Sequence, residues 1–276
     1  MKPLKLDLSR PVVMAIVNVT PDSFFEGSRT LHEDQITKRI LQAQEQGASI
    51  VDIGGYSSRP GADDVSLDEE WQRVEVGLKV ARRAAPELII SVDTFRSEVA
   101  RRAADGYGEI IINDISAAEI DPAIIDVAAK YKLPYIAMHM RGRPQSMQSM
   151  ISYDNIVEEV KEYFTSKVAQ LKGAGIEEII LDPGFGFAKS LEQNYELMAG
   201  LKSIINLGYP VLSGVSRKSM IYKLLDTSPH EALAGTIALG WESLRQGARI
   251  LRVHDVEEAK QSIKIFETYD KYSRRT

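Results

Sequence analysis

The chain has 276 residues, 44% hydrophobic and 26% charged, with a net charge of −5 and no cysteine. That balance supplies one sizeable core and excludes disorder, disulfides, thiolate catalysis and cysteine-bound zinc. It lacks the basic face of a general nucleic-acid binder, and its apolar runs stop far short of the roughly 20 residues that span a bilayer.

The N-terminal stretch MKPLKLDLSR holds no apolar run of signal-peptide length, so a soluble, cytoplasmic protein is expected. From there one rhythm repeats: a short apolar run rich in β-branched residues ends in polar residues or Gly, and a longer amphipathic stretch follows. The strand candidates are 12–19, 49–55, 88–94, 109–115, 135–140, 178–184, 210–216 and 250–256. Between them, 34–46 places Ile36, Ile40, Leu41 and Ala43 near a 3.6-residue period, and 155–172 aligns Ile156, Val160, Phe164, Val168 and Leu171. A last helix covers 257–272. Gly47, Gly106 and Gly175 are expected as left-handed C-caps. Strands apolar throughout and separated by helices predict a buried parallel sheet. Eight such units in a single domain, residues 1–276, predict an α/β fold, a (β/α)8 TIM barrel rather than an open doubly wound sheet.

Barrel enzymes build their sites at the C-terminal ends of the strands, and every predicted strand delivers polar residues there. In order they are Asn18; Asp52 with the loop after it; Asp93; Asn113 and Asp114; His139; Asp182; Ser216 to Ser219; and Arg252 with His254. Taken singly, each has a plainer reading: a carboxylate can cap a helix, Lys218 can be a surface lysine, and His254 can sit in the core. Together they describe a site. Asp93, Asn113 and Asp182 are acceptors suited to a flat, donor-rich heterocycle, and Lys218 could donate to its carbonyl. Arg252 and His254 lie two apart on one strand, face the same way and form an anion site. The stretch RKSMIYKLLD after Ser216 is expected to open a helix whose N-terminus faces the site. Two polar loops, 20–29 and 56–64, are suited to exclude water.

Other signals are weak. GFGFAK at 184–189 matches neither a dinucleotide fingerprint nor a phosphate loop. The four histidines, His32, His139, His230 and His254, have no metal-ligand spacing.

The segments NVTPDSF (18–24), DIGG with SSRPGA (52–62), SVDT (91–94), IND (112–114), MHMRGRPQSMQ (138–148), DPGFGF (182–187), SRKSMI (216–221) and RVHDV (252–256) resemble the dihydropteroate synthase family, in the family's order and over nearly the whole chain. The resemblance implies a transferase of folate biosynthesis. It joins 6-hydroxymethyl-7,8-dihydropterin pyrophosphate to p-aminobenzoate and releases pyrophosphate. It implies pterin binding by Asp93, Asn113, Asp182 and Lys218, and pyrophosphate binding by Asn18, Arg252 and His254. Asn18 would also lie near a Mg2+ ion. Ser219, Phe24, Ser58, Arg59 and Pro60 would hold p-aminobenzoate, and Glu26 would stabilise a pterin cation. A homodimer is expected, as is common in the family. The loops depart from the usual pattern: Glu26 stands where Asp is usual, Tyr56 replaces Glu, and Ser58 replaces Thr. These changes bear on sulfonamide analogues of p-aminobenzoate.

Overall fold

The computed structural model describes residues 6–19, 29–57 and 64–273, with all their side chains except those of residues 29–32 and 148. The predicted alternation is present throughout. The first half runs β1 (Val12–Asn18), α1 (Arg29–Glu45), β2 (Ile50–Gly54), α2 (Leu67–Ala84), β3 (Ile89–Asp93), α3 (Ser97–Tyr107), β4 (Ile111–Asp114) and α4 (Ile124–Tyr131). The second half runs β5 (Tyr135–Met138), α5 (Ile156–Gly173), β6 (Ile179–Asp182), α6 (Leu191–Ala199), α7 (Leu201–Ile205), β7 (Leu212–Ser213), α8 (Ser219–Tyr222), α9 (Leu233–Gln246), β8 (Ile250–Val253) and α10 (Val256–Ser273).

All strand pairs are parallel, in the order β6-β5-β4-β3-β2-β1-β8-β7. A bridge between Leu181 and Val211 brings β7 back to β6, supported by Leu181 N donating to Pro210 O at 2.9 Å. The sheet thereby forms a nearly closed eight-stranded TIM barrel. β7 is far shorter than the predicted 210–216 because Pro210 has no N–H to give the ladder. After Val215 the chain also turns on itself, Lys218 N donating to Val215 O at 3.1 Å.

Helix starts follow side-chain chemistry. Ser66 accepts from Glu69 N at 3.2 Å and Asn155 from Glu158 N at 3.2 Å, while Ser190 and Gln193 form a capping box. Gly47 and Gly175 have the expected positive φ. Gly106 does not: α3 continues through it to Tyr107, whose ring packs on the core, and Gly108 at φ +74° ends the helix instead.

Side-chain alternation along the strands divides two cores. Outward residues such as Val13, Val51, Ile90, Ile112 and Tyr135 pack against the helices. Inward residues Met14, Ile50, Ile111, Ile136, Ile180, Leu212 and Ile250 plug the barrel as one apolar layer. The next inward positions, two residues further along each strand, include Asp52, Ser91, Asn113, Asp182 and Arg252. The apolar plug is therefore the floor of a polar cup at the C-terminal mouth. Among the described residues, no helix is long and apolar enough to cross a membrane.

Candidate functional site

The floor of the cup is organised around Arg252. Its Nε donates to Asp52 Oδ2 at 2.6 Å and its Nη2 to Asp93 Oδ2 at 2.7 Å. Asn113 Nδ2 donates to the same Asp52 oxygen at 2.9 Å. That bond sets the amide orientation and leaves Asn113 Oδ1 as an acceptor. Asp52 and Ser91 are partners in the β2–β3 register, and Asp52 Oδ1 and Ser91 Oγ are buried without a protein partner among the described residues.

One guanidinium faces two carboxylates, so one carboxylate is incompletely compensated. Burial, opposed by Arg252 and reinforced by Asp52, pushes the Asp93 carboxyl up to about 7. For Arg252, burial works against the charge, but Asp52 and Asp93 outweigh it and hold its pKa above the ordinary value.

Asp182 and Lys218 form the opposite wall. Asp182 Oδ1 accepts from Gly184 N at 2.8 Å. A Cβ on Gly214 would stand 3.8 Å from Asp182 Oδ2 and 3.9 Å from Lys218 Nζ, so both groups converge over a bare stretch of backbone. Lys218 Nζ donates to Phe185 O and lies 4.6 Å from the Phe187 ring centre. Burial pushes the Lys218 amine down to about 8 against the pull of Asp182. Burial also raises Asp182 above the usual carboxylate range, with Lys218 pulling the other way.

At the rim, Ser216 stitches β7 to β8. Its Oγ accepts from His254 N at 3.1 Å and lies 3.0 Å from His254 Nδ1. With the hydroxyl proton given to Nδ1, the neutral ring keeps its proton on Nε2. Burial, and then Arg252, hold His254 down at about 4. A second stitch is the bidentate pair from Arg217 to Asp255, at 2.9 and 2.6 Å.

The expected helix over RKSMIYKLLD is reduced to the single turn Ser219–Tyr222. Arg217 occupies the left-handed region, φ +55°, and blocks an earlier start. Four residues carry little macrodipole. Ser219 begins that turn, half-buried, and Asn18 ends β1, half-buried, beside Gly54 of β2.

The structure thus brings Asp93, Asn113, Asp182, Lys218 and Arg252 into one cup, with Asn18, Ser219 and His254 at strand ends around it. Glu26, Phe24, Ser58, Arg59 and Pro60 lie outside the described residues. Arg252 and His254 do different things: Arg252 turns down into the carboxylates, while His254 is held at the rim. Asp52 was read from the sequence only as one of the polar residues at the strand ends and was given no role, although it organises the floor of the cup. Arg96, also unpredicted, lies 5.5 Å from the Tyr56 ring and pairs with buried Glu70 at 2.7 Å. Tyr56 stacks edge-on against Phe95 at 5.1 Å and accepts from Gln145 Nε2 at 2.7 Å.

Barrel and cup define a class, the (β/α)8-barrel pterin enzymes, and a family model described as "Pterin binding enzyme" matches residues 14–254. Dihydropteroate synthase from Escherichia coli K12 is 44% identical over 265 residues, 95% of this chain and 93% of that one. The Yersinia pestis dihydropteroate synthase in a sulfonamide drug complex superimposes with a TM-score of 0.89 at 39% identity, covering 98% of both chains. The Xanthomonas albilineans enzyme in complex with 7,8-dihydropteroate gives 0.84 at 35% identity, covering 96% of this chain and 95% of that one. The chain belongs to the dihydropteroate synthase family.

Proposed function

We propose that this chain joins 6-hydroxymethyl-7,8-dihydropterin pyrophosphate to p-aminobenzoate, giving 7,8-dihydropteroate and pyrophosphate. The observation that carries this reading is the Asp52–Arg252–Asp93 network with Asn113. It leaves a row of acceptors above an apolar floor, which suits the amino and ring N–H groups of a pterin. Asp182 accepts from the same edge, and Lys218 donates to the ring. The C–O bond to pyrophosphate breaks, and the aryl nitrogen, neutral at pH 7, attacks the exocyclic carbon and then releases its proton to solvent. No strong base is required, because the attacking amine already carries its lone pair at neutral pH. Glu26 would stabilise the cation electrostatically. Ser219, Phe24, Ser58, Arg59 and Pro60 would position p-aminobenzoate.

The pyrophosphate would lie on Asn18, on His254 Nε2–H and on the outer face of Arg252. Among the described residues no cluster of three or more His, Asp or Glu could hold a metal, and Asp52 and Asp93 are engaged by Arg252. The Asn18 amide oxygen fits a Mg2+ ion carried on the substrate's phosphates rather than in a protein cage. Such an ion would neutralise charge on the leaving pyrophosphate.

A cytoplasmic homodimer fits this reading. Trp241 of α9 stacks on Phe266 and Tyr269 of α10, at 5.6 and 5.8 Å, and Ile265 beside them is 62% exposed. Sedimentation would decide the assembly. The test of function is an assay with both substrates, with and without chelator. Equal release of dihydropteroate and pyrophosphate, lost on chelation, is expected. Pterin binding without turnover would overturn the reading.

A further inference from the structure

The turn after β6 is tightly constrained backbone. Gly184, Gly186 and Ala188 all have positive φ, at +68°, +82° and +48°. A Cβ on Gly184 would meet His139 O at 2.1 Å, so the turn is pressed directly onto the end of β5. At Ala188, which carries a Cβ, a left-handed conformation persists only where its surroundings over-determine it.

Lys189 supplies much of that determination. It is 5% exposed, and its Nζ donates to Gly184 O and to Phe187 O, both at 2.9 Å. It also lies 3.1 Å from His139 Nδ1 and 3.4 Å from His139 O. One amine thus ties the first and last carbonyls of the turn to the end of β5. Asn194 and Tyr153 add further support. Asn194 Oδ1 accepts from Gly186 N at 2.6 Å, and Tyr153 Oη donates to Ala188 O at 3.0 Å.

A buried amine this far from water is retained only when its donors are used. Burial drives its pKa well below the ordinary lysine value, with the Lys218 charge acting in the same direction. The same turn holds Lys218: Phe185 O accepts from its Nζ, and the Phe187 ring lies beneath it.

We infer that Lys189 is a positioning residue: it fixes the 184–187 turn and, through Phe185 O and the Phe187 ring, sets where the Lys218 amine meets the pterin. This inference rests on the pterin site proposed above. Lys189 itself is buried behind the turn, on the side of His139, and acts only through that turn. Its loss should therefore fall more heavily on the pterin than on the second substrate.

The experiment uses the full chain. Lys189→Met keeps the side-chain volume and removes the donors, and Lys189→Arg restores donors. Calorimetry with 6-hydroxymethylpterin should show affinity weakened by about 10-fold or more in K189M, since two buried carbonyls lose their donor. K189R should recover about threefold or more of that loss, and the KM for p-aminobenzoate should rise by less than the pterin affinity falls. Folded K189M that binds the pterin within about twofold of the unaltered protein would overturn the inference. So would equal losses for both substrates, which would mark a general structural role. Should K189M not fold, the unaltered protein decides, with its lysine Nζ groups labelled for NMR. The Lys189 signal must shift when the pterin binds, and an unmoved signal overturns the inference. Because 6-hydroxymethylpterin cannot turn over, the calorimetric and NMR readouts are separate from failure of the proposed reaction, which the two-substrate assay on the unaltered protein detects.

Discussion

Arg252 Nε lies 2.6 Å from Asp52 Oδ2, and that oxygen also accepts from Asn113 Nδ2 at 2.9 Å. A single carboxylate oxygen at the bottom of the barrel therefore orients one cation and one amide of the pterin cup. Asp52→Asn removes the charge from that acceptor while keeping its shape. Pterin affinity should fall by about 1.5–3 kcal/mol, the range for hydrogen bonds to charged groups, measured by calorimetry. Since Asp93 still engages Arg252, the protein should remain folded. An unchanged affinity would remove Asp52 from the binding machinery.

Asp93 makes a pH prediction. Its carboxyl is pushed from 3.8 to about 7, by burial first. The folded protein then holds a proton that the unfolded chain releases between about pH 4 and pH 7. That contribution to stability is full at low pH and is lost as pH rises through 7. Asp93→Asn removes the titration, so at pH 8 the variant should melt about 2–4 °C above the unaltered protein. The gap should close as pH falls towards 4. A pH-independent difference would show that Asp93 does not titrate in this window.

Lys218 makes the complementary one. Burial holds its amine at about 8 rather than the ordinary 10.5. Its positive charge and third donor are therefore present below pH 8 and lost above it, and pterin affinity should weaken as pH rises through 8. Lys218→Met should bind about 10-fold more weakly at pH 7 and lose the slope above pH 8. Retention of that slope in K218M would assign it to another group.

Arg217 carries φ +55° while its side chain pairs with Asp255 at 2.6 Å. Backbone strain and ion pair can be separated. Glycine adopts this conformation freely, so Arg217→Gly should be more stable than Arg217→Ala by about 1 kcal/mol. The Arg217–Asp255 coupling in a double-mutant cycle should be about 0.5–1 kcal/mol, since the pair is partly exposed. Denaturant melts of the four proteins of the cycle and of Arg217→Gly check both values.

How much of this was legible in advance depends on whether the interaction is periodic in sequence. The eight apolar runs and the helical spacing of Ile156, Val160, Phe164, Val168 and Leu171 encode strands, helices and their order, because burial acts on every second or every third to fourth residue. The polar residues at strand ends were likewise readable, since a parallel barrel collects all strand C-termini at one mouth. Asp93, Asn113, Asp182, Lys218 and Arg252 could be named from their positions and motifs alone.

Partners across the barrel could not. Arg252 and Asp52 are 200 positions apart, and whether the guanidinium turns down to that carboxylate or up to an anion depends on strand stagger, which no local spacing records. Local backbone mattered in the same way. Pro210 shortened β7, Tyr107 carried α3 past Gly106, and the left-handed Arg217 cut the expected helix after Ser216 to one turn. Lys189 shows the limit most clearly. In GFGFAK it is one lysine after a weak motif, and its role exists only where the ends of β5 and β6 meet around its amine. Composition, periodicity and motifs thus settle the barrel, its family and the residues at its mouth. The pairing of charges at the floor and the bracing of the turns belong to the closed barrel, because contacts between distant strands form only after closure brings them within hydrogen-bond distance.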